Sequence, residues 1–225
     1  PRLLSEVLQK EKVTTIHFVP SMLNAFSIET TISECTSLRR IICSGEALPA
    51  DLVEQVLSHA PVELHNLYGP TEITISATLM EFQKGMSRFP IGKPIANTQV
   101  YILDKNHQPT PIGVEGEMYI GGVGVAQGYL NRPELTAERF VRNPFSADPQ
   151  SRLYKTGDLA RYLADGNLEF IGREDNQIKI RGFRVELGEI EQAISQLPEV
   201  RDNAVVLHES VSHGKRLVTY LTTHT

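Results

Sequence analysis

Cysteine is scarce in this chain, with Cys35 and Cys43 alone. Two are too few for a disulfide framework, and they lack zinc-site spacing, so the default setting is reducing and cytoplasmic. Seven histidines show no metal-ligand pattern either. No apolar run approaches the ~18–20 residues of a membrane span, and no signal peptide opens the chain. Basic residues are in deficit, 22 Lys and Arg against 27 Asp and Glu for a net charge of −5, which argues against a nucleic-acid grip. There is no G-x-x-x-x-G-K-[ST] phosphate loop, no G-x-S-x-G elbow and no evident Ser/His/Asp arrangement. What is present is core material: 225 residues, 40% hydrophobic and 22% charged, enough for a folded domain and too apolar for disorder. At ~150 residues per domain, the length corresponds to about one and a half domains. The first residue is Pro1 and the last residues read as a strand, so the expectation is a piece of a larger protein.

Two patterns divide the chain. Residues 1–12 have helical spacing, with Leu3, Leu4, Val7 and Leu8 on one face. Apolar runs at 13–19, 38–43 and 62–67 predict buried strands, and 49–59 predicts a helix with Pro49 in its first turn. Strands alternating with helices indicate an α/β sheet. Beyond about residue 90, Gly and Pro become frequent and the strands shorten. Segments 99–104 and 116–121 read as strands, and 131–140 as a short helix. Asp165-Gly166 between 159–163 and 168–171 is a hairpin signal. This stretch is mainly β. After the polar run 172–176 come a strand at 177–180, a break at Gly182, a strand at 183–185 and a helix with Leu187, Ile190, Ile194 and Leu197 on one face. Strands at 200–207 and 216–221 flank a polar loop over 209–215. The last part reads as the start of a small α+β domain, so residues 1–174 and 175–225 are expected to form separate domains.

Four segments bear groups suited to chemistry. His65-Asn66-Leu67-Tyr68-Gly69-Pro70-Thr71-Glu72 follows a buried strand, where sheet ligands bind. Asn66 offers a donor and an acceptor in one plane, as a base requires. Tyr68 can stack, Gly69 permits close backbone approach, Thr71 offers a hydroxyl to phosphate, and Glu72 an oxygen ligand to Mg²⁺. An ordinary Gly-Pro turn explains the segment equally well. In Tyr154-Lys155-Thr156-Gly157-Asp158-Leu159, an acidic residue at a strand end can accept from both ribose hydroxyls, although an isolated Gly-Asp more often marks a turn. The glycines from Gly113 to Gly128 fit tight β turns better than a dinucleotide loop, since Gln127 stands where the third Gly belongs. Arg173 could contact phosphate or ribose, or belong to a charged surface linker. Lys179, Arg181 and Arg184 alternate as one solvated face would. His17, inside the first buried strand, reads as a satisfied core residue, and Cys43 as a small buried one.

Taken in order, the segments resemble a family. Asn66-Leu67-Tyr68-Gly69-Pro70-Thr71-Glu72 is followed by Gly116-Glu117-Met118-Tyr119-Ile120-Gly121-Gly122-Val123-Gly124-Val125-Ala126-Gln127-Gly128-Tyr129-Leu130. Then come Tyr154-Lys155-Thr156-Gly157-Asp158-Leu159 and the run from Gly172-Arg173-Glu174-Asp175-Asn176-Gln177 through Lys179-Ile180-Arg181-Gly182-Phe183-Arg184-Val185-Glu186-Leu187-Gly188-Glu189-Ile190-Glu191. This is similar to the adenylation domains of nonribosomal peptide synthetases, within the adenylate-forming enzymes, over essentially the whole chain. The resemblance implies the C-terminal part of the large α/β domain with its β-rich subdomain (1–174). After it would come a hinge and the start of the small α+β domain (175–225). It implies a two-step enzyme: an amino acid and ATP with Mg²⁺ give an aminoacyl-adenylate, and the acyl group passes to a carrier domain's phosphopantetheine thiol. The small domain would rotate between the steps. Other synthetase modules in the same chain are implied, and a small accessory protein is compatible.

Residue by residue, the resemblance assigns Asn66 to the adenine amino group, Tyr68 to stacking, and Gly45, Glu46 and Ala47 to the adenine's other side. Gly69 and Thr71 belong to the phosphates and Glu72 to Mg²⁺. Asp158 belongs to the ribose hydroxyls, with Phe170 and Arg173 flanking. Family members often have Tyr where Phe170 stands. Asp175 matches the hinge, and Gly182 lies in the loop presented to the site for thioester formation. His17, Ile42, Ser44, Leu67, Ile75 and Ser76 match substrate-pocket positions, which moves His17 from core to pocket. Their pattern is similar to serine activators, which usually carry Asp where Ser76 stands. The family's phosphate-loop Lys would precede Pro1 and its late catalytic Lys would follow Thr225, so the isolated chain is expected to be inactive. Two alternatives stand beside this: a non-catalytic nucleotide-binding or interaction module, and an acyl-CoA ligase-like enzyme with a different thiol acceptor.

Overall fold

The computed structural model describes residues 1–29, 32–175, 177–210 and 214–224. Asn176 of the polar run, residues 211–213 of the predicted loop and Thr225 lie outside the described residues. The amphipathic start forms α1 (Arg2–Lys10), which buries Ser5 and Leu8. The three apolar runs become β1 (Thr15–Phe18), β2 (Arg40–Ser44) and β3 (Glu63–Tyr68), paired in parallel and connected by α2 (Pro20–Glu29) and α3 (Ala50–His59). Pro49 is the N-cap of α3 rather than a residue of its first turn. Helix α2 has no counterpart in the sequence reading. Pro20, which ends the strand, also starts the helix, and Leu23 and Phe26 supply its buried face.

Two antiparallel strands, β4 (Thr78–Phe82) and β5 (Lys93–Pro94), complete the sheet in the order β1-β2-β3-β4-β5. One face and the helices enclose Leu8, Phe18, Leu23, Phe26, Ile41, Val53, Val56 and Leu64. Each such side chain stabilises the fold by about 1.5–3 kcal/mol, before the cost of ordering it.

The second sheet is antiparallel throughout. It contains β6 (Thr98–Leu103), β7 (Gly116–Gly122), β9 (Arg152–Tyr162) and β10 (Leu168–Arg173) in the order β10-β9-β7-β6. Helix α4 (Pro133–Arg139) leads into a short strand, β8 (Phe140–Arg142), which pairs with β9. Gly166 takes φ 82° in the turn between β9 and β10, as the hairpin signal requires. The core of this sheet, Val100, Ile102, Met118, Ile120, Tyr154 and Leu168, also takes in Ile73, Ala77 and Ile91 from the segments that follow β3 and β4. Ile91 N–H donates to Leu168 O at 2.8 Å, so backbone bonds also join the two sheets. The fold is α/β with a β-rich subdomain.

Residues Asp175–Thr225 form a second compact unit, distinct from Pro1–Glu174. It contains the hairpin β11 (Gln177–Ile180) and β12 (Phe183–Glu186), helix α5 (Leu187–Ser195), and the long pair β13 (Val200–Ser210) and β14 (Gly214–Thr223). Arg181 and Gly182 form the hairpin turn, with φ 51° and 80°. Lys179 therefore faces Arg184 across the hairpin and Arg181 sits in its turn, so the three do not alternate along one strand. Among the described residues, no helix is long and apolar enough to cross a membrane.

Candidate functional site

Parallel pairing aligns the strand ends that carry the first motif. His17 is registered with Ile42, Cys43 with Asn66, and Ser44 with Leu67. Side chains alternate along a strand, so His17, Ile42, Ser44 and Leu67 share one face, while Cys43, Asn66 and Tyr68 share the other. His17 is exposed, which corrects its reading as a core residue. Its Nε2 lies 2.7 Å from Ser44 Oγ. Cys43 is buried, and burial pushes its thiol up to about 12. Gly45 (φ 86°), Glu46 and Ala47 leave β2 at the edge where Tyr68 ends β3. Glu46 Oε2 accepts from Ser21 N–H at 3.0 Å, binding this loop to the first turn of α2. Asn66 is 6% exposed, and its Oδ1 is buried with no hydrogen-bond partner among the described residues.

The turn after β3 is clamped from both sides. Thr71–Ile73 is a 3-10 turn capped by Pro70. Thr71 is exposed, whereas Glu72 is 7% exposed. Tyr129 O–H donates to Glu72 Oε1 at 2.6 Å, and Ala126 N–H donates to Glu72 O at 2.8 Å. Burial, together with the bond to Glu72, pushes the Tyr129 hydroxyl well above its ordinary pKa. A Cβ on Gly69 would stand 2.5 Å from Ile75 O and 2.8 Å from Ala77 N. The close approach at Gly69 is thus made by the chain's own backbone. Thr74 and Ile75 follow at φ 62° and 77°. Ile75 is 64% exposed, and a β-branched residue in this region is strained by roughly 1–3 kcal/mol. Ala77 N–H to Tyr68 O at 2.7 Å and Thr74 Oγ1 to Gly124 O at 2.8 Å hold the strained pair, with half-buried Ser76 between them.

Asp158 lies inside β9, not at a strand end as expected. It is aimed by an irregularity in the pairing of β7 and β9. Tyr68 O–H donates to Asp158 Oδ2, and Arg173 Nη1 donates to Oδ1 at 2.5 Å. Arg173 is the cross-strand partner of Asp158, and both side chains are largely buried, which corrects the surface-linker alternative. Burial and the neighbouring Asp158 carboxylate hold the Tyr68 hydroxyl well above its ordinary pKa. The Tyr68 and Phe170 rings lie 6.4 Å apart at 41°.

The predicted residues thus gather as one cluster of Tyr68, Asp158, Phe170 and Arg173, a clamped Glu72, and a pair of exposed His17 and half-buried Ser44. Asp175 belongs to the second unit, where its Oδ1 accepts from Gln177 N–H at 3.1 Å. Tyr129 had no assigned role in the sequence reading. Its one visible signal is its place in the family motif, within Gly128-Tyr129-Leu130. Among the described residues, no three His, Cys, Asp or Glu side chains could share a metal ion.

The chain is similar to known proteins over nearly its whole length. The family model for the AMP-binding enzymes matches residues 1–130. A linear gramicidin synthase of Brevibacillus parabrevis is 50% identical over 97% of this chain. Phosphinothricin tripeptide synthetase PhsB of Streptomyces viridochromogenes is 49% identical over 98%. The chain spans only 4% and 19% of the lengths of those two relatives. Among solved structures, holo-PA1221, an NRPS protein containing adenylation and PCP domains bound to a vinylsulfonamide inhibitor, superposes with a TM-score of 0.90 at 32% identity. That match covers all of this chain and 39% of the other. An artificially fused adenylation-PCP di-domain from Klebsiella oxytoca gives a TM-score of 0.86 at 27% identity, over 99% of this chain and 45% of the other. The chain belongs to the AMP-binding enzymes, as part of an adenylation domain of the nonribosomal peptide synthetase type.

Proposed function

We propose that this chain supplies the adenosine-facing wall and part of the substrate pocket of an amino-acid-activating ligase. The substrate carboxylate attacks the α-phosphorus of ATP, and the bond to the β-phosphate breaks and releases pyrophosphate. The thiol of a carrier domain's phosphopantetheine then attacks the acyl carbon of the adenylate, and AMP leaves. The observation that carries this reading is the buried, unpartnered Oδ1 of Asn66, on the same strand face as Tyr68. A buried acceptor left unmade costs about 1–3 kcal/mol, which a donor such as the adenine amino group recovers. Tyr68 and Phe170 offer the base and ribose an aromatic surface. Asp158, fixed by Tyr68 and Arg173, takes the ribose hydroxyls. Gly45, Glu46 and Ala47 wall the base, and Gly69 and Thr71 lie toward the phosphates.

Glu72 is the residue that would hold Mg²⁺. One carboxylate with no cluster of further protein ligands among the described residues fits an ion that keeps several waters and takes the rest of its shell from substrate phosphates. Bound there, the ion neutralises phosphate charge. Tyr129 keeps the carboxylate in place. His17 and Ser44, already within hydrogen-bond distance, recognise a small polar side chain, serine-like, whose size Leu67 and Ile75 limit. Ile42 and Ser76 complete the pocket positions in this chain. Asp175 is the hinge between the two steps, and carrier and neighbouring modules are the partners.

Amino-acid-dependent ATP–pyrophosphate exchange by the intact protein tests this. Serine or a similarly small polar amino acid should drive exchange, and Asn66→Leu should raise the KM for ATP. The 225-residue chain alone should give none, since the resemblance places both family lysines outside it. Exchange driven by a simple carboxylic acid, with free coenzyme A accepting the acyl group, would instead make this an acyl-CoA ligase.

A further inference from the structure

The segment that carries Asp158 is irregular, and several of its backbone bonds are made by side chains. Between the registered pairs Glu117–Leu159 and Tyr119–Lys155, Met118 alone on β7 faces Thr156, Gly157 and Asp158 on β9. Such a bulge breaks the ladder and leaves donors and acceptors without strand partners. Each needs another partner in this buried place. Thr156 Oγ1 donates to Met118 O at 2.7 Å and accepts from Asp158 N–H at 2.9 Å. Gly157 sits at φ 74°, and its carbonyl accepts from Glu174 N–H at 2.9 Å. Gly157 N–H donates to a side chain, Glu117 Oε1, at 3.2 Å.

Glu117 is itself held in place. Its Oε2 accepts from Tyr119 O–H at 3.1 Å and lies 3.5 Å from Lys155 Nζ. Its side chain is 14% exposed. Two neighbours on the same pair of strands therefore fix one oxygen while the other caps the bulge. The next residue after Gly157 is Asp158, whose carboxylate meets Tyr68 and Arg173. Glu117 holds the Thr156–Gly157 peptide, one residue before Asp158, while the Gly157–Asp158 peptide that follows is held by Thr156 Oγ1 and Glu174 N–H.

We propose that Glu117 is a positioning residue for nucleotide recognition, holding the Gly157 amide so that the bulge aims Asp158 at the ribose. The proposal rests on the reading of Asp158 as the ribose-binding group. What matters is the acceptor at Oε1, not the charge. Gln keeps that acceptor without the charge. Asp keeps the charge but withdraws it by one methylene. Leu removes both.

The test compares ATP with 2′-deoxy-ATP in amino-acid-dependent pyrophosphate exchange by the intact protein, in Glu117→Leu, Glu117→Asp and Glu117→Gln, with Asp158→Asn as reference. Leu and Asp should raise the KM for ATP about tenfold, the scale of one lost or misaimed hydrogen bond to a charged group, and erase the preference for ATP. The KM for the amino acid should not move, and Gln should restore the preference. Retained preference in Glu117→Asp, while Asp158→Asn loses it, overturns the proposal, as does a Gln variant no better than Asp. No effect of Asp158→Asn itself overturns the ribose reading and the nucleotide role of Glu117 with it. Hydrogen exchange at the Gly157 amide is read separately. Faster exchange in Glu117→Asp supports the capping contact, and unchanged exchange removes it, even if Glu117→Leu fails to fold.

Discussion

The two sheets of the first unit aim polar side chains in different ways. In the first sheet, Asn66, Tyr68 and Ser44 stand toward the carboxyl ends of the parallel strands β2 and β3, where the strands stop and loops begin. In the antiparallel sheet, Asp158 projects from the middle of an eleven-residue strand, and only a bulge gives it its direction. A strand end in a parallel sheet needs little local support, because neighbouring strands end together. A bulge needs side chains to complete its backbone bonds, and here Thr156 and Glu117 do so. The lesson is that a site residue in a β-rich region depends on more partners than one at a parallel strand end, and should be more fragile.

The largest test of that contrast is Asp158→Ala. It leaves the Arg173 guanidinium largely buried without its carboxylate, which should cost about 3 kcal/mol in urea unfolding and abolish exchange activity. Gly69→Ala probes a crowded point at the strand-end side. Its Cβ meets backbone atoms that cannot rotate away, so about 2 kcal/mol is expected. A loss as large as that of Asp158→Ala would erase the contrast.

A pH series sharpens the comparison, because Tyr68 belongs to β3 and bonds to β9. Its folded pKa is raised, chiefly by burial and then by Asp158. The stabilisation is therefore fully present below the unfolded tyrosine value of about 10, and is lost as pH rises above it. Urea midpoints should fall on the alkaline side, and Tyr68→Phe should flatten that fall. The smallest effect belongs to exposed His17. His17→Ala should change stability by no more than about 0.5 kcal/mol, while altering which amino acid drives exchange.

Much of the fold was legible. The apolar runs of β1, β2 and β3 and the spacing of α1 and α3 announce buried faces whatever the chain later packs against. The turn at Asp165-Gly166 is likewise local chemistry. Helix α2 and strands β4, β5 and β8 were not seen. The last two are only two and three residues long and carry no period of their own. For the site, the residue types of the motifs were visible, and the family follows from their order. The burial of Glu72 under Tyr129 was not visible, because the two lie 57 positions apart. Nor was the exposure of His17, since an apolar strand reads the same whether one face or both are covered.

The amino-acid sequence by itself determined the strand and helix material, the chemical groups available, and the family their order identifies, because those depend on residues near one another in the chain. Tertiary structure alone decided where Asp158 points, which face His17 occupies, and that Gly69 is required by backbone packed against it. Strand register, bulges and burial belong to pairs of segments, and no single segment carries them.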